Sequence, residues 1–357
     1  MMERIRVDLG ANSYDIVFVW DRLQDIVSEL KKVVDTRKIM VVSDDNVLGI
    51  YSKAIKKAIG PYFNAQYVSI PPGEQSKSLE QAQILYTKAL EFGLDRGSVI
   101  VALGGGVVGD LAGFVASTYM RGIPYVQIPT SLLAQVDSSV GGKVAVNHPQ
   151  AKNVIGNFYQ PKLVYIDGST LSTLPSRQLS SGLAEVIKYG IIYDSQFLDW
   201  LEGHIEDIMA LNRDAVIHCL KRCCQIKAMV VNQDERETGI RAILNFGHTI
   251  GHGVESITGY KEYTHGEAVA VGMIYASKIA LNMGMIDRGY YNRIKNIIHH
   301  AHLPSIIENI DTKALIKAMV KDKKAVDGKI TFVLPTAVGR VGIFHDVDRG
   351  EIAKALI

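Results

Sequence analysis

With 357 residues, 47% of them hydrophobic, the chain has the length and apolar content for two domains that each bury a core without external staples. Its 39 lysines and arginines against 37 aspartates and glutamates leave a net charge of +2, which excludes the broad positive field that gathers nucleic acid or anionic membrane. Any anion recognition has to be local.

Residues 1–10 carry Glu3, Arg4, Arg6 and Asp8 with no apolar run behind a basic head, so they do not read as a secretion signal. Short β-rich runs then alternate with helical patterns: a strand at 38–43 before a helix at 47–59, and a strand at 65–70 before a helix at 79–92. Such alternation predicts parallel strands joined by crossover helices. Residues 98–103 form a continuous apolar run between Arg96-Gly97 and three glycines, which suits a central strand covered on both faces. Between Val99 and Met120 the one charged residue is Asp110, yet five glycines crowd that stretch. A buried strand running into a glycine loop and a packed helix fits it better than a membrane span.

From about Pro175 the pattern changes to long amphipathic segments, at 177–192, 195–209, 213–233, 242–258 and 266–283. Residues 329–335 and 340–344 flank a turn containing Gly339, as expected of a late hairpin before a terminal helix. The expected architecture is therefore an α/β amino-terminal domain with a mostly parallel sheet, over residues 1–170, and a mainly helical carboxy-terminal domain, over 171–357. Cys219, Cys223 and Cys224 lack the spacing of a zinc knuckle or redox dithiol and read as packing residues. A reducing cytoplasm suits them.

The loop Gly104-Gly105-Gly106-Val107-Val108-Gly109-Asp110 follows the apolar strand and opens a helix. Amides at a helix start point outward unpaired, and glycines let a pyrophosphate approach them without a Cβ clash. The loop departs from the Gly-x-Gly-x-x-Gly fingerprint, and a tight strand-to-helix turn explains it equally well. The run from Pro71 to Lys77 places Glu74 and Lys77 at a helix start, where they either hold ribose hydroxyls or cap the helix. Asp44 and Asn46 lie at a strand end, where ribose-binding groups occur in open α/β sheets and where caps and turns occur too.

In the helical half, Glu185, His248 and His265 supply one carboxylate and two imidazoles, a set that suits a catalytic divalent cation and leaves positions open for substrate or water. His248 and His252 are one helical turn apart on one face. Lys188, Arg241, Asn245 and Glu267 interrupt apolar, glycine-rich sequence around them, where an unpaired buried charge is unfavourable unless a ligand or carboxylate meets it. His204, His218, His299, His300 and His302 read as ordinary core or surface histidines. Between Thr130 and Lys143, and at Asn147, His148, Lys152 and Asn153, hydroxyls, amides, one carboxylate and ammonium groups form an inventory suited to a polyhydroxylated anion. Arg121 is a further candidate phosphate contact.

The same segments carry a family resemblance over nearly the whole chain. The runs Gly104–Asp110, Tyr119-Met120-Arg121-Gly122, 130–143, Lys152-Asn153, Glu185-Val186-Ile187-Lys188-Tyr189-Gly190, 241–252, His265-Gly266-Glu267 and Asp322-Lys323-Lys324 resemble the 3-dehydroquinate synthases. The resemblance implies NAD on the amino-terminal domain, a divalent metal, zinc or cobalt, on Glu185, His248 and His265, and a substrate between the domains. It implies cofactor contacts from Asp44, Asn46, Glu74, Lys77, Gly105, Gly106, Val107, Val108, Gly109, Asp110, Thr130, Ser131, Lys143, Lys152, Thr170, Leu171, Ser172 and Thr173. Substrate contacts fall to Asp137, Lys143, Asn153, Lys188, Lys227, Arg241, Asn245, His252 and one of Lys323 or Lys324, with Arg121 reaching a phosphate across a homodimer. His252, Lys143, Lys188, Asn153 and Arg241 would carry the catalysis.

Members of that family convert 3-deoxy-D-arabino-heptulosonate 7-phosphate into 3-dehydroquinate in the shikimate route. The steps are oxidation by NAD, elimination of phosphate, reduction, ring opening and aldol closure. Two departures, Val144-Ala145 for the family's usual Thr-Gly and Ser131 for its usual Thr, remove no required functional group. The rival expectations are another sugar phosphate cyclase, a metal-dependent NAD polyol dehydrogenase, or a nucleotide-binding regulatory protein without activity. The intact run from Asp137 to Lys143 favours the dehydroquinate branch over the other cyclases.

Overall fold

A computed structural model describes residues 2–307, 311–321 and 330–356. The chain divides into two compact units, one formed by residues up to Leu174 together with Lys227–Arg236, the other by Pro175–Ile226 and the residues from Glu237 on.

The first unit runs β1 (Glu3–Val7), β2 (Tyr14–Val19), α1 (Ile26–Val33), β3 (Lys38–Asp44), α2 (Asp45–Ile59), β4 (Asn64–Ile70), α3 (Leu79–Phe92), β5 (Val99–Gly104), α4 (Gly106–Thr118), β6 (Tyr125–Pro129), β7 (Lys143–His148), β8 (Ala151–Phe158) and β9 (Leu163–Asp167). Seven strands form one sheet in the order β1-β2-β9-β6-β5-β3-β4. Every pairing in it is parallel except that of β1 with β2. Period-two alternation decides which face each side chain covers. In β3, Ile39 and Val41 join the core beneath α1 and α2, while Met40 and Val42 join the core beneath α3 and α4. Both faces are covered, and β5 is buried along its whole length, as its unbroken apolar sequence requires.

The strands and helices expected at 38–43, 47–59, 65–70, 79–92 and 98–103 are all present, with ends shifted by at most two residues. Sequence reading gave no sign of the hairpin of β7 and β8, which pair antiparallel outside the main sheet. The apolar residues of β8, Ala151, Val154, Ile155 and Phe158, do not alternate on one face, and all its residues are exposed or half-exposed.

The second unit contains α5 (Ser176–Ile192), α6 (Ser195–Met209), the first part of α7 (Arg213–Gln233), α8 (His248–Ile257), α9 (His265–Asn282), α10 (Arg288–His300), α11 (Thr312–Lys321), the antiparallel pair β10 (Thr331–Ala337) and β11 (Arg340–His345), and α12 (Arg349–Ala355). Helices dominate it, as the amphipathic segments predict. One expectation needs correction. Residues 242–258 are not one helix: a 3-10 turn at Ile240–Asn245 ends at Phe246, and α8 begins only at His248. Gly247 breaks the path with φ 80°, a left-handed conformation open to glycine.

The three cysteines are buried, and among the described residues none forms a disulfide. Burial pushes the Cys223 thiol well above its ordinary value, with Cys219 beside it adding to the effect, so it stays a neutral packing group. Among the described residues no helix is long and apolar enough to cross a membrane.

Candidate active site

Three helices of the second unit converge on one point. Glu185 lies on α5, His248 is the first residue of α8 and His265 the first residue of α9. Close backbone packing brings them together. A Cβ at Gly272 of α9 would stand 1.9 Å from the Gly247 carbonyl oxygen, and one at Gly266 would stand 1.8 Å from that of Ser181 on α5. Only glycine permits either approach. The start of α9 is further fixed by a capping box between Thr264 and Glu267, and by Arg177 of α5, whose guanidinium donates to both Glu267 oxygens at 2.7 and 2.8 Å. Burial alone would raise the Glu267 carboxyl, but Arg177 and the Thr264 amide outweigh it and hold the group below its ordinary value.

The donor atoms face one another. His248 Nε2 lies 3.6 Å and His265 Nε2 3.8 Å from Glu185 Oε1. Lys188, one turn along α5, pairs with Glu185 Oε2. Glu185 Oε1 is itself buried and, among the described residues, has no hydrogen-bond partner. A buried carboxylate oxygen without a donor, faced by two imidazole nitrogens, is a poor arrangement alone and a good one around a divalent cation. The His248 Nδ1 lies 3.1 Å from the Phe246 carbonyl. A proton on Nδ1 would donate to that oxygen and leave the Nε2 lone pair directed at Glu185. The residues therefore fit the cation that their types suggested. All three offer ligand atoms within 4.8 Å of one another, and so does an overlapping set of His252, Glu255 and His265.

His252 sits beside this cluster, its ring centroid 5.4 Å from that of His248 and 6.2 Å from that of His265. Arg241 is buried, and Asn245 donates to Glu237 at 2.8 Å. Lys188 is 1% exposed and Glu185 fully buried, so their charges compensate each other away from water. Sequence reading missed Glu255. Its signal was available, because His248, His252 and Glu255 recur at helical spacing on one face of α8.

The first unit gathers a second set at the carboxyl ends of its strands. The chain turns from β5 through Gly105 into α4, whose first-turn amides begin at Gly106. Ser131 and Ser138 hydroxyls border Gly105 and Gly106. Lys77 pairs with Asp110 on α4. Burial pushes the Lys77 ammonium down, but the carboxylates of Asp110 and Glu74 more than reverse this and keep it charged. Burial pushes the Asp110 carboxyl up against the pull of Lys77. Asn147 donates to Glu74 at 2.8 Å and accepts from the Asn153 amide at 2.9 Å, which joins the β7–β8 hairpin to the Glu74–Lys77 turn. Lys227 donates to the Asp137 carboxylate at 2.5 Å and to its carbonyl at 2.6 Å.

Some of the other expected contacts do local structural work. Asp44 accepts from the Val47 amide and caps α2, and Asn46 is exposed. Thr170 and Thr173 meet the Tyr51 hydroxyl, at 3.3 Å through the Thr170 carbonyl and 2.8 Å through the Thr173 side chain. Arg121 is exposed and has φ 68°. Lys143 is exposed at the start of β7, and Lys152 is half-buried on β8. Lys323 and Lys324 lie outside the described residues.

A glycine turn at a parallel strand end, combined with a helical unit holding a carboxylate and two imidazoles, suits a sugar phosphate cyclase, and two solved structures of that class match the chain over nearly its whole length. The chain matches 2-epi-5-epi-valiolone synthase from Streptomyces hygroscopicus subsp. jinggangensis, solved with NAD+ and Zn2+, at TM-score 0.90 and 28% identity, over 98% of this chain and 97% of that one. It matches 2-deoxy-scyllo-inosose synthase complexed with carbaglucose-6-phosphate, NAD+ and Co2+ at TM-score 0.91 and 25% identity, over 99% of both chains. The profile of the 3-dehydroquinate synthase N-terminal region covers residues 67–181, and that of the C-terminal region covers 182–325. A 3-dehydroquinate synthase from Desulforamulus reducens is 51% identical over 357 residues, 99% of each chain. The chain belongs to the 3-dehydroquinate synthase family.

Proposed function

We propose that the chain converts 3-deoxy-D-arabino-heptulosonate 7-phosphate into 3-dehydroquinate and phosphate, using NAD and a divalent cation. The observation that carries this reading is the buried Glu185 oxygen facing two imidazole nitrogens, in a chain half identical along its length to 3-dehydroquinate synthases. When bound, the cation polarises a substrate oxygen and NAD takes up and later returns a hydride.

The chain's own residues do the rest. Glu185, His248 and His265 hold the cation, and Lys188, paired with Oε2 of Glu185, orients that carboxylate. His252, beside the ligand rings, accepts the proton of the substrate hydroxyl directly or through a water. Arg241, Asn245, Lys227, Lys143 and Asn153, with Lys323 or Lys324, bind the carboxylate, phosphate and hydroxyls. Asp137 is held in place by Lys227. The glycine turn at Gly105–Asp110, with Glu74, Lys77, Thr130, Ser131, Lys152 and residues 170–173, holds the nucleotide. Asp44, at the end of β3, and Asn46 bind the ribose. The metal is zinc or cobalt, the protein acts in the cytoplasm, and Arg121 supports a homodimer by reaching a phosphate in the partner's site.

The test is phosphate release from the heptulosonate phosphate with trace NAD, before and after chelation. Many phosphates per NAD, abolished by chelation and restored by cation, support the reading. One turnover per NAD would make the protein a dehydrogenase instead. Turnover only with a sugar phosphate lacking the carboxylate would move it to another branch of the cyclases.

A further inference from the structure

His265 has a carboxylate oxygen near each of its ring nitrogens. Its Nε2 faces Glu185 Oε1 at 3.8 Å, and its Nδ1 lies 3.5 Å from Oε2 of Glu255. Glu255 is 6% exposed and sits on α8 two turns after His248. The two proposed ligand imidazoles thus share one arrangement, with Nε2 toward Glu185 and Nδ1 toward an oxygen. For His248 that oxygen is the Phe246 carbonyl; for His265 it is a buried carboxylate.

A neutral imidazole carries one N–H, and the nitrogen that keeps its lone pair is the one a cation can use. An acceptor at Nδ1 fixes the proton there, presents Nε2 and stops the ring from turning. We infer that Glu255 is the positioning residue of the metal centre: it sets the tautomer and ring plane of His265 and strengthens that ring as a donor. The inference rests on the reading of Glu185, His248 and His265 as metal ligands.

The geometry also defines the competing arrangement. His252, Glu255 and His265 offer ligand atoms close enough to hold a cation themselves. That set would take the Nδ1 lone pair of His265, so within it Glu255 would be a ligand and not an acceptor. The first arrangement is favoured because it alone meets Glu185 Oε1, the buried oxygen without a hydrogen-bond partner.

The experiment strips the full-length protein of metal and titrates Co2+ against a chelator of known affinity, for the wild type, E255A and E255Q, with the cobalt d–d spectrum recorded at saturation. Loss of the carboxylate in E255A should weaken Co2+ binding by about 10- to 100-fold. In E255Q the amide oxygen still accepts from Nδ1–H, so the loss should be smaller and the d–d bands should keep their positions. Should E255A not fold, that graded response of E255Q decides alone. Wild-type affinity in E255A, or in the absence of that protein unchanged affinity in E255Q, would overturn the inference. Altered d–d bands in E255Q with an affinity as low as that of E255A would also overturn it, by making Glu255 a ligand. Wild-type protein that takes up no Co2+ would instead overturn the metal reading itself.

Discussion

Lys188 pairs with one oxygen of Glu185 and leaves the other without a hydrogen-bond partner, in a place where neither side chain meets water. Removing one member of such a pair strands the other charge, whereas removing both removes the problem. Glu185→Ala should therefore destabilise the metal-free protein by about 3–5 kcal/mol, and Glu185→Ala with Lys188→Met by much less. Urea unfolding of the two single variants and the double variant checks this. A simple sum of the single effects would show that the pair is not coupled.

Backbone contact at Gly266 ties the start of α9 to α5. An added methyl at 1.8 Å from the Ser181 carbonyl oxygen has to push one helix away. Gly266→Ala should lower stability by about 1–3 kcal/mol or more, and cation affinity should fall with it because His265 is the neighbouring residue. Equal denaturation midpoints for variant and wild type would contradict the close approach.

The buried Glu29 carboxylate on α1 is met by Arg4 of the edge strand β1 at 2.8 Å and by Lys32 at 2.7 Å. Burial would raise its pKa, but the two cations more than reverse this and hold it below the ordinary 4.5. The unfolded chain then binds the proton more readily than the native one, so stability rises with pH through this window. The contribution is complete above about 4.5 and is lost as pH falls through the lower native value. The stability gap between wild type and Glu29→Gln, followed by urea midpoints from pH 6 downward, should narrow below about 4.5. A gap independent of pH would assign the difference to packing.

His252→Ala should lower the rate of phosphate release by about 100- to 10,000-fold, the range for loss of a general acid or base. Cation and NAD binding should persist, because His252 is outside the proposed ligand sets for both. Calorimetry with each ligand, beside the rate, separates a lost proton acceptor from a collapsed site, and near-normal turnover would remove His252 from the mechanism.

Local pattern carried much of this structure. The unbroken apolar run of β5, the alternating strands and helices around it and the amphipathic segments after Pro175 each point to an element that formed. The ligand types at Glu185, His248 and His265 were readable because histidines beside glycines in apolar sequence are an unusual combination. The β7–β8 hairpin was not, since its second strand is mostly exposed and has no periodic apolar face. Nor was the break at Gly247, where one of several glycines inside an apolar pattern is as compatible with a packed helix as with a left-handed turn. Glu255 is a different case: its spacing from His248 and His252 puts it on their face of α8, but its contact with His265, a residue of another helix, is a tertiary feature that spacing alone does not carry.

The membership of Lys227–Arg236 in the first unit sets a limit on how this chain can be divided. The polypeptide enters the helical unit at Pro175, leaves it within α7 and re-enters it at Glu237. A single cut at 174/175 would hand the last turns of α7 to the wrong fragment and take from Asp137 the ammonium that binds both its carboxylate and its carbonyl. Neither half is a transplantable module, and gene fusions or split-protein designs that treat the site as two separable cassettes would each inherit an incomplete piece.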